Sequence, residues 1–305
     1  MFGSKNNLVE IIPQVRGKYL KNVPLSKHTW LGVGGPAEVM FVPEDIDDLA
    51  FFLKNKPYNV PVCLIGGGSN LLVRDGGVPG VVIKLDSPFF KQVVIAENQL
   101  TCFAGFKNAE LKKVMLDNHI GGLEFLSSIP GVIGGSVKTN AGCYGKEIKD
   151  VAIKASVIDD EGKIQTIGVD DLQLSYRHSL FPDDWIITSI TFKTYPDTPA
   201  NIQKTLDDQK AYRQKTQPYN ERSAGSAFKN PEGLRAWELI KKTGADQLRI
   251  GGAKVSEKHA NFLINTGKAT ARDLEDLGEA IRKLVKEKTL IDLEWEIKRL
   301  GIFKP

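Results

Sequence analysis

Two glycine-rich stretches hold residues whose types and spacing can do chemistry. In Gly66-Gly67-Gly68-Ser69-Asn70, three consecutive glycines precede Leu71-Leu72-Val73. Without Cβ atoms, successive backbone N–H groups can turn to one side and approach an anion, forming a nest for a pyrophosphate. The run is not the usual dinucleotide fingerprint. A G-x-G-x-x-G match needs glycine where Leu71 stands and a helix after it, whereas 70–74 reads as a strand. Nor is it a P-loop, because no Gly-Lys-Ser/Thr tripeptide occurs. The plain alternative is a tight turn between strands. The second stretch, Ile129 to Gly142, carries Pro130, Gly131, Gly134, Gly135 and Gly142, with Thr139 and Asn140 among its small polar groups. It presents main chain to something flat and large, or else forms a buried irregular loop. Two such stretches together point to a nucleotide cofactor lying between two subdomains.

Three further residues merit weighing. Arg177, in Leu174-Ser175-Tyr176-Arg177-His178-Ser179, can hold a carboxylate or phosphate at two points, although most lone arginines are surface residues. Ser226, in Gly225-Ser226-Ala227-Phe228-Lys229-Asn230-Pro231, has no G-x-S-x-G elbow and no evident base. It can still donate a proton, and a turn or cap serine is the bland reading. Glu296 falls in a stretch where Ile291, Leu293, Trp295 and Ile297 alternate with polar residues, so it faces away from the apolar side. A solvated strand face explains that on its own. His28, His119, His178 and His259 show no i, i+4 spacing, and Cys63, Cys102 and Cys143 form no C-x-x-C pair. No metal site is expected, and the sparse cysteines argue for a reducing, cytoplasmic compartment.

The chain has 305 residues and a formal charge of +4, from 41 basic and 37 acidic side chains. That charge is too small and mixed to argue for nucleic acid. No apolar run reaches the ~18 residues of a membrane span, and Met-Phe-Gly-Ser-Lys-Asn-Asn has no apolar leader core.

The elements that must position these residues follow from periodicity and punctuation. Strands are expected over 38–43, 61–65, 70–74 and 81–85, with a helix over 44–54 whose first turn is crowded with acids. Paired strands follow over 92–104, then a helix over 107–118, a hairpin of 151–158 with 163–168, and a strand over 184–193. A helix-prone stretch, 201–217, ends at Pro218. Beyond it come a helix over 235–243, a strand over 260–265, a helix over 271–288 and one last strand over 290–300. The division expected is 1–85 and 86–200 as two β-rich subdomains, then 201–305 as an α+β domain.

Taken in order, these pieces resemble one family, the UDP-N-acetylenolpyruvoylglucosamine reductases of bacterial peptidoglycan synthesis. The markers are Thr29-Trp30-Leu31-Gly32-Val33-Gly34-Gly35-Pro36, Gly66–Val73, Ile129–Gly145, Ser175-Tyr176-Arg177, Gly225–Pro231 and Glu296. The match is to the shorter subclass and spans nearly the whole chain. It implies an α+β fold, with a two-part FAD-binding region of vanillyl-alcohol-oxidase type followed by a C-terminal substrate domain.

The resemblance also implies FAD on Gly66, Gly67, Gly68, Ser69, Asn70, Pro130, Gly131, Gly134, Gly135, Thr139, Asn140 and Gly142. NADPH is the implied hydride source, and a UDP-sugar on Tyr176, Lys229, Asn230 and His259 the implied substrate. One departure stands out. The family tends to place a basic residue ahead of Ile250-Gly251-Gly252; this chain has Asp246 there, with Arg249 nearby. The implied chemistry suits the residue types. Arg177 stabilises charge that builds on the substrate, Ser226 gives a proton to carbon, and Glu296 helps if protonated beside the substrate carboxylate. An FAD-linked oxidase of the same fold, or a nucleotide-sugar binding protein without catalysis, are the alternatives. An oxidase of a saturated alcohol needs a base rather than a proton donor.

Overall fold

A computed structural model describes residues 8–304. The N-terminal heptapeptide, on which the expectation of no apolar leader core rests, lies outside the described residues. The described chain falls into two units. One takes the chain up to Lys21 with Glu38–Gly67 and Gly80–Lys210; the other takes Asn22–Ala37, Gly68–Pro79 and Ala211 onward.

Two larger sheets form the body of the first unit. In one, the strands run in the order Lys18–Pro24, Pro36–Val42, Val78–Ile83, Val62–Leu64. The helix Ile46–Asn55 buries Leu49, Phe52 and Leu53 among Val39, Phe41, Val81 and Ile83. It starts at Asp45, whose carboxylate accepts from the Asp48 N–H at 3.0 Å. The acidic first turn does more than match the helix dipole. Asp48 is 2% exposed and accepts from the backbone N–H groups of Arg16, Gly17 and Glu44 at 2.8, 2.9 and 3.0 Å. Its carboxylate thereby ties the incoming chain to the helix.

The second sheet is antiparallel, in the order Ile164–Gly168, Ala152–Ile158, Ile186–Lys193, Gln99–Phe103, Val93–Ala96. Against it lie Leu111, Met115, Ile133 and Val137. The stretch from Ser127 to Gly145 is less irregular than its composition implies, because Ile133–Lys138 forms a six-residue helix. Glycine disfavours helix by about 1 kcal/mol per residue. Tertiary contacts override that here: Ile133 and Gly134 give their N–H groups to the carbonyls of Phe106 and Ala104, each at 2.9 Å.

In the second unit, Arg249–Ile250, Ala253–Val255 and Leu263–Asn265 form a small sheet. The helices Ala236–Thr243 and Ala271–Thr289 share its core. Thr270 and Asp273 cap the longer helix reciprocally, and both oxygens of Asp75 accept from its Ala271 and Arg272 N–H groups at 3.0 Å. Gly278 sits mid-helix because a Cβ there would overlap the Trp295 ring.

The continuous last strand expected over 290–300 is not formed. Only Lys298–Leu300 is a strand, parallel to Leu71–Val73. Upstream, the chain pairs instead with the Ser226 segment, through Lys229 N–H to Glu294 O and Glu296 N–H to Ala227 O, both 2.8 Å. The chain changes partners at Glu296 and Ile297, and the strand divides there. The inward alternation of Leu293 and Ile297 survives, but Glu296 is half-buried rather than solvated.

Arg74, in the turn after Leu71–Val73, bonds Glu275 through two nitrogens, each at 2.9 Å, and Arg299 reaches the same carboxylate at 3.2 Å. Burial opposes ionisation of Glu275, but the hydrogen bonds and charge of these arginines outweigh it and hold the carboxyl below the usual range. Glu275→Gln should lower stability by about 3 kcal/mol at neutral pH, leaving two arginines facing each other. Because the folded pKa is depressed, this contribution is present above the unfolded carboxyl's pKa and fades as pH falls through the folded one. Urea denaturation of both proteins from pH 7 downward should show the gap narrowing; a pH-independent gap would contradict the assignment.

Candidate active site

In the first unit the two glycine-rich stretches meet. A Cβ at Gly67 would lie 2.8 Å from Gly131 Cα, and one at Gly66 3.0 Å from a Val132 methyl. The main chains therefore approach as only glycine allows. Gly134 packs on Ala104, with 2.9 Å to the Ala104 Cβ from a Cβ placed there, whereas one at the exposed Gly135 would meet nothing within 4 Å. Gly135 thus leaves open space on the helix Ile133–Lys138, and Thr139 closes that helix by donating to Gly135 O at 3.1 Å. Pro130 and Gly131 are half-buried at its entrance. These features suit a flat ligand with phosphates, the shape and charge of FAD.

Asn108 braces this region. It is fully buried and donates to Ile129 O at 3.1 Å and Ser136 Oγ at 2.7 Å, and its N–H reaches Gly131 O at 3.1 Å. Its Oδ1 is buried with no partner among the described residues. Sequence reading passed over it, and a lone asparagine ahead of a helix carries little signal.

Asn140 is also fully buried. Its amide donates to Ser175 O at 2.9 Å and Glu147 Oε2 at 3.1 Å, and accepts from Lys149 N–H at 3.0 Å. Its side chain therefore ties the 174–179 hairpin to 147–149. In that hairpin Ser175 pairs with His178, so Tyr176 and Arg177 form the turn. Arg177 has φ 55°, a left-handed conformation uncommon for a side chain this long. Its guanidinium donates to Gly142 O at 3.0 Å, lies 4.0 Å from Glu147 Oε1 and sits over the Tyr176 ring at 5.0 Å. Strain held by several partners marks a residue whose direction matters.

The second unit carries Gly68, Ser69 and Asn70. Gly68 has φ 67°, and a Cβ there would overlap the His28 carbonyl; its own carbonyl accepts from Trp30 N–H at 3.0 Å. The Thr29–Pro36 marker thus supports the end of the glycine run. Ser226 lies on a short extended segment held along both edges. It bridges Phe262 on one side, and Ala227 O accepts from Glu296 N–H on the other. Ser226 is half-buried, and its hydroxyl has no partner among the described residues.

Asn261, 4% exposed, clips the same segment: its Oδ1 accepts from Phe228 N–H at 3.0 Å and its Nδ2 donates to Phe228 O at 2.8 Å. Nothing in its sequence setting singles it out. His259 Nδ1 accepts from Asn261 N–H at 3.2 Å, and burial lowers its pKa. The ring is therefore neutral at pH 7, with its proton on Nε2. Lys229 binds Glu294 at 2.6 Å, and Asn230 Oδ1 accepts from Ala236 N–H at 3.0 Å, capping that helix. Asp246 accepts from Gln247 at 3.0 Å, while Arg249 is largely exposed, 3.7 Å from Glu257. No group of three or more potential metal ligands occurs among the described residues.

Residues 217–300 match the family described as UDP-N-acetylenolpyruvoylglucosamine reductase, C-terminal domain, and residues 37–168 match the FAD binding domain. The chain is 46% identical over 293 residues to the UDP-N-acetylenolpyruvoylglucosamine reductase of Paramagnetospirillum magneticum, covering 96% of this chain and 95% of that protein. The chain belongs to the UDP-N-acetylenolpyruvoylglucosamine reductase family. The Novosphingobium aromaticivorans reductase is 47% identical over 287 residues, covering 94% and 97%. The crystal structure of the Thermus caldophilus reductase superposes with a TM-score of 0.80 at 32% identity, covering 94% of this chain and all of that one. As a family member the protein is an FAD-dependent oxidoreductase of peptidoglycan synthesis that acts on UDP-N-acetylenolpyruvoylglucosamine, and its α+β fold has an FAD-binding region ahead of the C-terminal domain. Among the described residues, no helix is long and apolar enough to cross a membrane.

Gly67→Ala should force the two glycine stretches apart, since the clash is with backbone. Flavin titration of the stripped protein should show at least tenfold weaker binding, with Gly135→Ala nearer wild type in fold stability. Unchanged flavin affinity in Gly67→Ala would remove this contact from the cofactor site.

Proposed function

We propose that the protein reduces the enolpyruvyl ether of UDP-N-acetylenolpyruvoylglucosamine to UDP-N-acetylmuramate in the cytoplasm, with NADPH as the source of reducing equivalents. One carbon–carbon double bond is consumed: hydride adds at the β-carbon and a proton at the α-carbon. The main chain of Gly66–Asn70 and of Pro130–Gly142 would hold FAD, which when bound would supply the hydride, and the chain's side chains manage the charge and the proton.

Negative charge builds on the α-carbon and its carboxylate as the β-carbon gains hydride. Arg177 stabilises it with a planar fork that Gly142 and Glu147 hold in place. Glu296, in its protonated form, donates to the substrate carboxylate. Ser226 then gives its proton to the α-carbon. Serine is a very weak acid, so this step works only against a strongly basic carbon, which hydride addition creates. Tyr176, Lys229, Asn230 and the neutral His259 bind the UDP-sugar, and Arg249 serves its phosphates in place of a base at Asp246. The observation that carries this reading is Ser226 itself: a hydroxyl with no partner among the described residues, on a segment fixed along both edges, one residue from the carbonyl that receives the Glu296 N–H.

Ser226→Ala should leave flavin reduction by NADPH nearly unchanged and slow reoxidation by the enolpyruvyl substrate by at least ~10²-fold. Equal slowing of both half-reactions would assign Ser226 to binding or folding. Arg177→Lys keeps the charge but loses the two-point fork. It should weaken the second half-reaction by about 3 kcal/mol; wild-type turnover would remove Arg177 from the mechanism.

A further inference from the structure

The partner change of the last segment leaves Glu296 at a point where ordinary strand pairing has no donor for its carbonyl. Its N–H is given to Ala227 O at 2.8 Å, on the Ser226 segment. Pairing with the other neighbour, Leu71–Val73, begins only at Lys298 opposite Leu71. The carbonyl of Glu296 lies before that register, and the side chain of Asn70 fills the gap: its Nδ2 donates to Glu296 O at 3.1 Å. The same residue's carbonyl accepts from Lys298 N–H at 3.0 Å. Asn70 therefore grips the chain on both sides of Ile297. Glu296 is held by both peptide groups, one tied to the Ser226 segment and one to the end of the glycine run.

We propose that Asn70 is a positioning residue that acts through Glu296, setting where its carboxyl stands. This goes beyond the cofactor nest expected of the run, where Asn70 counts only as part of a phosphate cradle. It rests on the reading of Glu296 as a group at the reacting centre. The chemical consequence is selective. Losing the donor at residue 70 frees the Glu296 carbonyl and lets its Cα drift, which harms the step that uses the carboxyl. Flavin binding and flavin reduction by NADPH do not use that hydrogen bond.

The test is a double-mutant cycle with the flavin-loaded protein, together with flavin dissociation constants from titration of the stripped protein. Asn70→Ala should keep flavin affinity within about threefold. It should slow single-turnover reoxidation by the enolpyruvyl substrate by about tenfold or more, the scale of a misplaced reacting group. In the Glu296→Ala background it should add no further loss, because the two residues act as one device. Asn70→Asp has the shape of asparagine without the donor and should behave like Asn70→Ala. Asn70→Gln keeps an amide donor and should recover part of the rate. A role in shape alone reverses that order, with the Asp variant near wild type and the Gln variant poor, and overturns the proposal. So do weaker flavin binding with losses that multiply across the cycle, and wild-type reoxidation in Asn70→Ala. Wild-type reoxidation in Glu296→Ala alone would show a separate failure, of the reading of Glu296, and would remove the basis for Asn70 with it.

Discussion

The peptide groups on either side of Phe228 are the constraint on which the Ser226 segment of the second unit depends. Ala227 N–H donates to Asn261 O at 2.7 Å, and Ala227 O accepts from Glu296 N–H. Phe228 is clipped at both its N–H and its carbonyl by the one amide of Asn261. Each such bond contributes about 1 kcal/mol net, but leaving a buried partner unmade costs about 1–3 kcal/mol. The segment therefore has little freedom to slide. Ser226 sits at its start and Lys229 at its end, while Glu296 hangs from its middle. Trp295 stacks near Phe228, with ring centres 5.0 Å apart, and reaches Glu279 at 2.8 Å, which ties the arrangement to the long helix.

The first unit solves a different problem, the close approach of main chain to main chain and the aim of one arginine. Gly67 and Gly131 allow the approach, and Asn108 keeps the second loop in register. Arg177 adopts a positive φ that is unfavourable by itself, and persists because Asn140, Gly142 and Glu147 each fix a neighbouring part of the hairpin. Both units thus use buried asparagines to hold irregular backbone where regular pairing stops. An asparagine amide supplies a donor and an acceptor in the geometry of a peptide, so it can stand in for a missing strand partner.

What was legible in the sequence was local. The helix over 44–54 was readable from its acidic start and apolar periodicity, and the helix over 271–288 and the hairpin of 151–158 with 163–168 from periodicity and punctuation. The inward alternation of Leu293 and Ile297 was readable too. The helix Ile133–Lys138 was not, because its two glycines lower its intrinsic propensity and its first N–H groups find carbonyls about 30 residues earlier in the chain, in Phe106 and Ala104. The break in the last strand was also hidden, since it arises from competition between two distant partners for the same stretch. Single residues such as Asn108 and Asn261 left no trace, and Asp48 showed only as one acid of a helix's first turn, as their importance lies in which backbone groups surround them. Arg177, Ser226 and Glu296 stood out only as an ordered set; taken singly, each has a bland explanation.

The most direct measurement of the central claim is anaerobic. The flavin-loaded protein is reduced with one equivalent of NADPH, then mixed with UDP-N-acetylenolpyruvoylglucosamine while the flavin absorbance is followed. The expected result is full return of the oxidised spectrum within a turnover, with one UDP-N-acetylmuramate formed per flavin. A flavin that stays reduced in the presence of that substrate, and reoxidises only when air is admitted, would contradict the proposed function.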